Sequence, residues 1–462
     1  GGMTLRVLAI CKEDPNWILG GMGRHVGELY RHMGALDGVE VDLLTSGPGE
    51  GTIDCDGYTK HPSNKHVCFK PPSPGMSSYL IDDLQMVKTL TRLIAQGRRW
   101  DVVHNHEWGS VQVSRLARHA LQVPQVSTMH LCISHLSTIG TCPTDQVDTP
   151  NEPTLYLWQQ EGNLICDPNE LILCSNAYVD LVRRTFMTQR PITMIPNGID
   201  LDTWNPDAGD KYRAQTDHNL TTGRPVCLYV GRIADMKGIR PLLDAVEYGG
   251  TGGWQVVLCG EVNANTKAQV DAWDVTKRIR ELTERHPDRL RWVGFQTGQA
   301  LFDLYAAADV VIMPSVHEPF GIVALEAMAS GAPLIATEVD GLGEIVNDAQ
   351  GNEYALIIRP DSAADIQAAL SMCEEARIRN ELRDLGLKRA RAFDWNEVAK
   401  QTVGVYERAL QGGNHACTTG TAVRNDHDRP GEDRGLEDRR QLLPGDPLDG
   451  SVGGVGVLPR GR

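Results

Sequence analysis

Glu318 and Glu326 stand eight residues apart in the segment Pro314-Ser315-Val316-His317-Glu318-Pro319-Phe320-Gly321-Ile322-Val323-Ala324-Leu325-Glu326. Glu318 falls on the loop after an apolar run, and Gly321 falls where a helix should start. The backbone amides of Phe320, Gly321 and Ile322 can therefore face a ligand. Glu326 lies two helical turns on, among Ala, Leu and Met, and a carboxylate there needs a partner. Sugar or ribose hydroxyls would serve, and so would protein groups. Arg232 and Lys237 flank a second short loop, Gly231-Arg232-Ile233-Ala234-Asp235-Met236-Lys237-Gly238. A guanidinium fork and an ammonium beside a helix start suit a diphosphate, although a surface charge pair has the same spelling. Gly20-Gly21-Met22-Gly23 precedes a third helix start, where glycine lets the backbone approach an anion or simply makes a tight turn. His104 and His106 alternate along an apolar stretch, which invites a metal reading. No third ligand stands at useful spacing, so none is expected.

Each of these loops must be carried by a strand. Leu5–Ile10, Val39–Leu44, Asp101–His104, Gln125–Met129 and Leu171–Cys174 read as buried strands. Helical patterns cover Arg24–Met33 and Ala177–Phe186. A second series opens at Val226–Val230 and continues through Gln255–Leu258, Leu290–Val293, Val310–Met313 and Leu334–Ala336. Helices are expected between these strands, with Ala363–Ala376 and Arg377–Arg391 after them. Residues 46–78 and 135–155 read as loops, rich in Gly, Pro and Ser. The alternation predicts an α/β chain with two Rossmann-like, doubly wound parallel sheets, split around 190–224 and facing a cleft. The expected division is 3–195, 196–392, a helix within 393–411 that crosses back to the first domain, and a tail, 412–462. That tail has no Trp, Tyr or Phe and reads as disordered.

The net charge is −15. The stretch 412–462 holds eight acids against seven arginines, so nearly all of that charge belongs to the rest of the chain. An acidic body disfavours nucleic acid and anionic membrane as partners. No apolar run approaches a membrane span. Eleven cysteines with no CxxC pair read as buried thiols in a reducing compartment. Gly1-Gly2 ahead of Met3 reads as a cloning remnant. The residues after Met3 lack a signal-peptide pattern, so a cytoplasmic location is expected.

The ordered set of motifs resembles the retaining GT-B glycosyltransferases of family GT4, with features shared by glycogen synthases. It comprises Gly20-Gly21-Met22-Gly23, Asp101-Val102-Val103-His104-Asn105-His106-Glu107-Trp108, Ser127-Thr128-Met129-His130, Pro196-Asn197-Gly198-Ile199-Asp200, Val230-Gly231-Arg232 with Lys237-Gly238, and the Glu318/Glu326 segment. The resemblance implies a GT-B fold and a metal-independent enzyme without a resident cofactor. It also implies a nucleotide-diphosphate sugar, a uridine diphosphate sugar foremost, as co-substrate. Gly21 and Gly23 would offer amides near the donor phosphates. Arg232 and Lys237 would bind the diphosphate. Glu318 would contact donor-sugar hydroxyls, and Glu326 the ribose. His130 would touch the sugar and offer its carbonyl near the anomeric carbon. Glu107 stands where glycogen synthases usually carry Asp and would contact acceptor or sugar. Gly260-Glu261-Val262-Asn263 departs from the family pattern, which has a second glycine here. Val293–Gln296 would surround the nucleobase. Asn197-Gly198 reads as a hinge turn.

No Asp/Glu pair at glycosidase-like spacing is evident, in keeping with transfer in which the departing phosphate helps take the acceptor proton. The expected acceptor is a small polar molecule such as an aminocyclitol or another specialised-metabolite precursor. The alternatives are a growing α-glucan, a glycolipid precursor, or phosphate, which would make the protein a GT-B sugar phosphorylase.

Overall fold

The computed structural model describes residues 4–15, 21–49, 51–64, 76–138, 152–248, 251–262 and 268–412. Gly20, Asn263 and the tail from residue 413 onward, with the disorder expected there, lie outside the described residues.

Two sheets form. The first contains β1 (Leu5–Cys11), β2 (Val39–Pro48), β3 (Ile53–Cys55), β4 (Tyr58–Asn64), β5 (Val102–His106), β6 (Gln125–Met129), β7 (Glu170–Leu173) and β8 (Ile192–Met194). Its order is β3-β4-β2-β1-β5-β6-β7-β8, parallel throughout except for the β3/β4 hairpin. The second contains β9 (Val226–Val230), β10 (Gln255–Cys259), β11 (Leu290–Gly294), β12 (Val310–Met313), β13 (Leu334–Thr337) and β14 (Leu356–Ile358). Its order is β11-β10-β9-β12-β13-β14, all parallel. The central strands are buried on both faces, as their unbroken apolar runs require.

Strand order reverses between β1 and β5 in the first sheet and between β9 and β12 in the second. Crevices open at such switch points, beyond the carboxyl ends of the strands. Glu13 and the helix Gly21–Gly34 follow β1, and Glu107 follows β5. Arg232 and Lys237 follow β9, and Glu318 follows β12. The topology thus delivers the candidate residues to two facing rims.

The stretch 46–78 is corrected. It was expected as loop, yet β2 runs to Pro48 and β3 and β4 occupy 53–64. Polar composition concealed the strand because its polar side chains find buried partners. Lys60 Nζ lies 2.9 Å from Asp14 Oδ1, and His61 Nε2 lies 2.6 Å from Asp42 Oδ1. The helix Met76–Ala95 overlaps the end of the same stretch, and the helices Ile133–Thr138 and Glu152–Cys166 cut into the second expected loop. The helix expected over 363–376 ends at Met372, and the next begins at Ala376. Eight cysteines of the described residues are free thiols, six of them buried.

The helix Trp395–Gln411 packs against Gly21–Gly34 and inserts Trp395, Val398, Val405 and Tyr406 into the core of the first sheet. A Cβ on Gly198 would lie 2.7 Å from the Trp395 ring, so this chain crossing needs glycine.

Candidate functional site

Lys237 and Glu318 meet directly, with Nζ 2.6 Å from Oε2 and side chains 16% and 12% exposed. Local backbone geometry makes this possible. Gly238 has φ +68°, and a Cβ there would sit 1.8 Å from the Pro314 carbonyl oxygen. Only glycine lets the turn after β9 press against the end of β12. Asp340 Oδ2 accepts from the Glu318 backbone N–H at 3.0 Å and fixes the other side of the loop. Arg232, earlier on the same loop as Lys237, is exposed. Its charge reaches Glu13, whose carboxyl burial pushes up while the Gly23 amide and Arg232 pull it down. Glu13 Oε2 accepts from the Gly23 N–H at 2.8 Å, so a protein carboxylate already occupies part of the glycine turn.

The start of Gly21–Gly34 faces the start of Ile322–Ala329. A Cβ on Gly21 would stand 3.6 Å from Ile322 Cδ1. Gly321 caps the second helix at φ +100°. Phe320 is not at the cleft surface with its ring. It is 5% exposed and packs edge-on against Phe393 at 6.1 Å, leaving only its backbone for a ligand.

Glu326 is 1% exposed and has protein partners. Arg24 donates to Oε1, and the Tyr305 hydroxyl donates to Oε2 at 2.8 Å. Arg24 also lies over the Trp204 ring at 5.9 Å. Arg24 was not foreseen as a functional residue. Its signal was available, since a cation directly after Gly23 belongs to the same helix start. Tyr305 carried no such signal.

Among the described residues, the partners of the Glu107 side chain lie on the first sheet's own loops. Its Oε2 accepts from the backbone N–H groups of His130 and Leu131, each at 2.9 Å, and Oε1 accepts from Trp108 at 3.3 Å. Burial and the nearby Glu161 charge push its carboxyl up to about 8 against the pull of these amides. Glu161 similarly accepts from Ile133 and from the Ser134 N–H, the latter at 2.8 Å. Both acids therefore shape the turn that carries His130.

His130 is half-buried, and its Nε2 lies 3.2 Å from His106 Nδ1. Below it His104, His106, Tyr30 and Tyr406 form a buried network. Tyr30 Oη contacts His104 Nδ1 at 2.9 Å and His106 Nε2 at 2.6 Å, and Tyr406 Oη contacts His104 Nδ1 at 2.6 Å. Burial holds the His104 imidazole down to about 3 and that of His25 to about 4. Asn197, expected as a hinge turn, also binds His25, with Oδ1 2.6 Å from Nδ1.

Bonds across the cleft join the two sheets. Tyr178 Oη lies 2.9 Å from His317 Nε2, and Ser175 Oγ donates to the Pro319 carbonyl at 2.9 Å. The arrangement offers a paired cation and carboxylate, a second cation and two facing helix starts. These are parts that can hold a charged phosphate ester.

Residues 19–203 match the family described as Glycosyltransferase Family 4, and residues 210–388 match Glycosyl transferases group 1. The glycogen synthase of Mycobacterium tuberculosis is 30% identical, over 88% of this chain and 96% of that protein. The D-inositol 3-phosphate glycosyltransferase of Xylanimonas cellulosilytica is also 30% identical, over 85% and 92%. The structure of sucrose-phosphate synthase from Thermosynechococcus elongatus superposes with a TM-score of 0.71 at 24% identity, covering 88% of this chain and 100% of that one.

Proposed function

The chain is a GT-B glycosyltransferase of family GT4, and from that premise we propose that it moves a hexosyl group from a nucleotide-diphosphate sugar to an acceptor hydroxyl with retention of configuration. The observation that carries this reading is the Lys237–Glu318 pair at 2.6 Å, which joins the loops after β9 and β12, with Arg232 on the first of those loops. As the glycosidic bond breaks, negative charge grows on the departing diphosphate and positive charge on the sugar. Lys237 and Arg232 stabilise the first, together with amides around Gly21, Gly23, Gly321 and Ile322. Glu318, released from Lys237 by the incoming phosphate, turns to sugar hydroxyls. The His130 carbonyl stands near the anomeric carbon. The charge on the leaving group is matched by protein cations, so turnover is expected without added divalent metal.

Glu326 has a narrower role than ribose binding alone. Arg24 and Tyr305 already satisfy it, so a ribose hydroxyl would share its carboxylate with them. Val293–Gln296 forms the base pocket, with Phe295 49% exposed for stacking. A uridine diphosphate sugar is the first donor to try.

For the acceptor we favour a small polyhydroxylated ring, an aminocyclitol or related precursor. The acidic chain suits a cationic acceptor, and the relative named D-inositol 3-phosphate glycosyltransferase supports the cyclitol ring but not the positive charge. Extension of an α-glucan is the second reading, favoured by the 30% identity to a glycogen synthase.

A panel of nucleotide sugars tests the proposal. Released nucleoside diphosphate is measured with and without acceptors, in the presence of chelator, for the native protein and for Lys237→Ala. Acceptor-dependent release is expected from one donor class. The variant should lose about 10²–10³-fold in kcat, the scale for removing one group that stabilises transition-state charge. Unchanged turnover in Lys237→Ala would remove the diphosphate assignment. Phosphorolysis without any nucleotide would replace the transferase with a phosphorylase.

A further inference from the structure

The transfer reading uses one face of His130 and leaves the imidazoles beneath it without a task. His25 comes from the helix Gly21–Gly34, His106 from the end of β5 and His130 from just beyond β6. One nitrogen of each ring lies within 4.8 Å of the nitrogens of the other two. Sequence spacing offered only His104 and His106. Folding turns His104 toward the tyrosines and brings in His25 and His130 instead.

Hydrogen bonds orient these rings as metal ligands are oriented. The Asn197 carbonyl oxygen, 2.6 Å away, holds the proton on His25 Nδ1 and leaves a lone pair on Nε2. His25 is 5% exposed, and its Nε2 is buried with no hydrogen-bond partner among the described residues. A bare buried acceptor of this kind is costly unless something covers it. The Tyr30 hydroxyl engages His106 Nε2 at 2.6 Å, leaving Nδ1 to point at His130 Nε2 3.2 Å away. Two imidazoles on one tetrahedral zinc ion stand roughly 3.3 Å apart, nitrogen to nitrogen, so the His106–His130 pair already has the needed spacing. Half-buried His130 gives an ion entry from the cleft and leaves a fourth position for water. A second grouping, Glu28, His32 and Asp200, is a poorer candidate. Arg31 already fills it, 2.8 Å from Glu28 and 2.7 Å from Asp200.

We propose that His25, His106 and His130 form a binding site for one divalent transition-metal ion of the zinc type on the first-sheet wall of the cleft, with Asn197 and Tyr30 as the groups that orient the rings. Ligation fixes His130 Nε2 on this wall, where it already faces His106, and keeps it from the sugar, so the ion opposes transfer. That consequence rests on the transferase reading, whereas binding itself does not.

The test is made on the full chain without sugar. Metal-free protein is titrated with Zn²⁺ by calorimetry, and the zinc-loaded protein is measured by X-ray absorption at the zinc edge. One ion per chain is expected, with imidazole nitrogens at about 2.0–2.1 Å and no sulfur shell at about 2.3 Å. His25→Gln should weaken binding at least tenfold, and Asn197→Ala, which keeps all three ligands, about 10–100-fold. His32→Ala should leave it unchanged. The absorption spectrum of the native protein decides the matter even if a variant fails to fold. A sulfur shell, no binding by the native chain, or loss through His32→Ala in place of His25→Gln would overturn the site. Zn²⁺ that binds as described yet leaves donor turnover unaffected would strike the inhibitory consequence alone.

Discussion

On the second-sheet wall of the cleft, Lys237 and Glu318 form an ion pair that is largely shielded from solvent, and Arg232 on the same loop as Lys237 is exposed. On the first-sheet wall, His25, His104, His106 and His130 meet as neutral rings, and Glu107 and Glu161 serve backbone amides. One wall keeps its charge available for a charged ligand. The other has exchanged charge for a fixed shape. A phosphate needs the first kind of wall, because its binding exchanges one ion pair for another. A sugar needs the second, because hydroxyls are recognised by position and by neutral donors and acceptors.

Arg24–Glu326 adds an ion pair to the bonds that join the walls, linking the helix Gly21–Gly34 to the helix Ile322–Ala329 with the Glu326 end buried. Its removal is the strongest way to break the comparison. Glu326→Ala leaves Arg24 without its counter-ion and should cost about 3–5 kcal/mol in stability. The lower end is expected because the Arg24 side chain retains 24% exposure. Glu326→Gln, which keeps an acceptor for Tyr305, should cost less. Urea midpoints for the two variants measure this. A loss below about 1 kcal/mol for Glu326→Ala would mean that the pair does not join the walls.

The neutral wall predicts a pH response of definite sign. The His25 imidazole sits at about 4 in the folded chain against 6.5 in the open one. Between those values the unfolded chain takes up a proton that the folded chain refuses, so stability falls as pH falls from 6.5 to 4. Glu107, raised to about 8, acts in the opposite sense between pH 8 and its ordinary value of 4.5. The effect of His25 is therefore read as a difference. Native protein should lose about 3 kcal/mol more than His25→Gln between pH 6.5 and 4. Parallel urea-midpoint curves for the two proteins would show that His25 is already protonated when folded.

The same contrast explains what could be read in the sequence. Lys237, Glu318 and their glycines lie in short strand–loop–helix units, so apolar runs and punctuation place them together. The central strands of both sheets follow directly from those runs. The histidine cluster draws on three separate elements, and nothing local marks His25 as a neighbour of His106. Glu107 was singled out by the motif resemblance alone, and nothing local announced that its carboxyl would accept from the His130 and Leu131 amides. β4 was missed because Lys60 and His61 look like surface residues until Asp14 and Asp42 are placed beside them. β8 and β14 are three-residue strands at sheet edges, too short for a periodic signal.

In the proposed transfer the paired-charge wall releases a diphosphate while the sugar keeps its anomeric configuration. Proton NMR of the transfer reaction, run with an α-linked nucleotide sugar and followed from the first turnover, tests it most directly. An α-linked product is expected, visible as the small coupling of an equatorial anomeric proton, appearing in step with released nucleoside diphosphate. A β-linked product with the large diaxial coupling would contradict it.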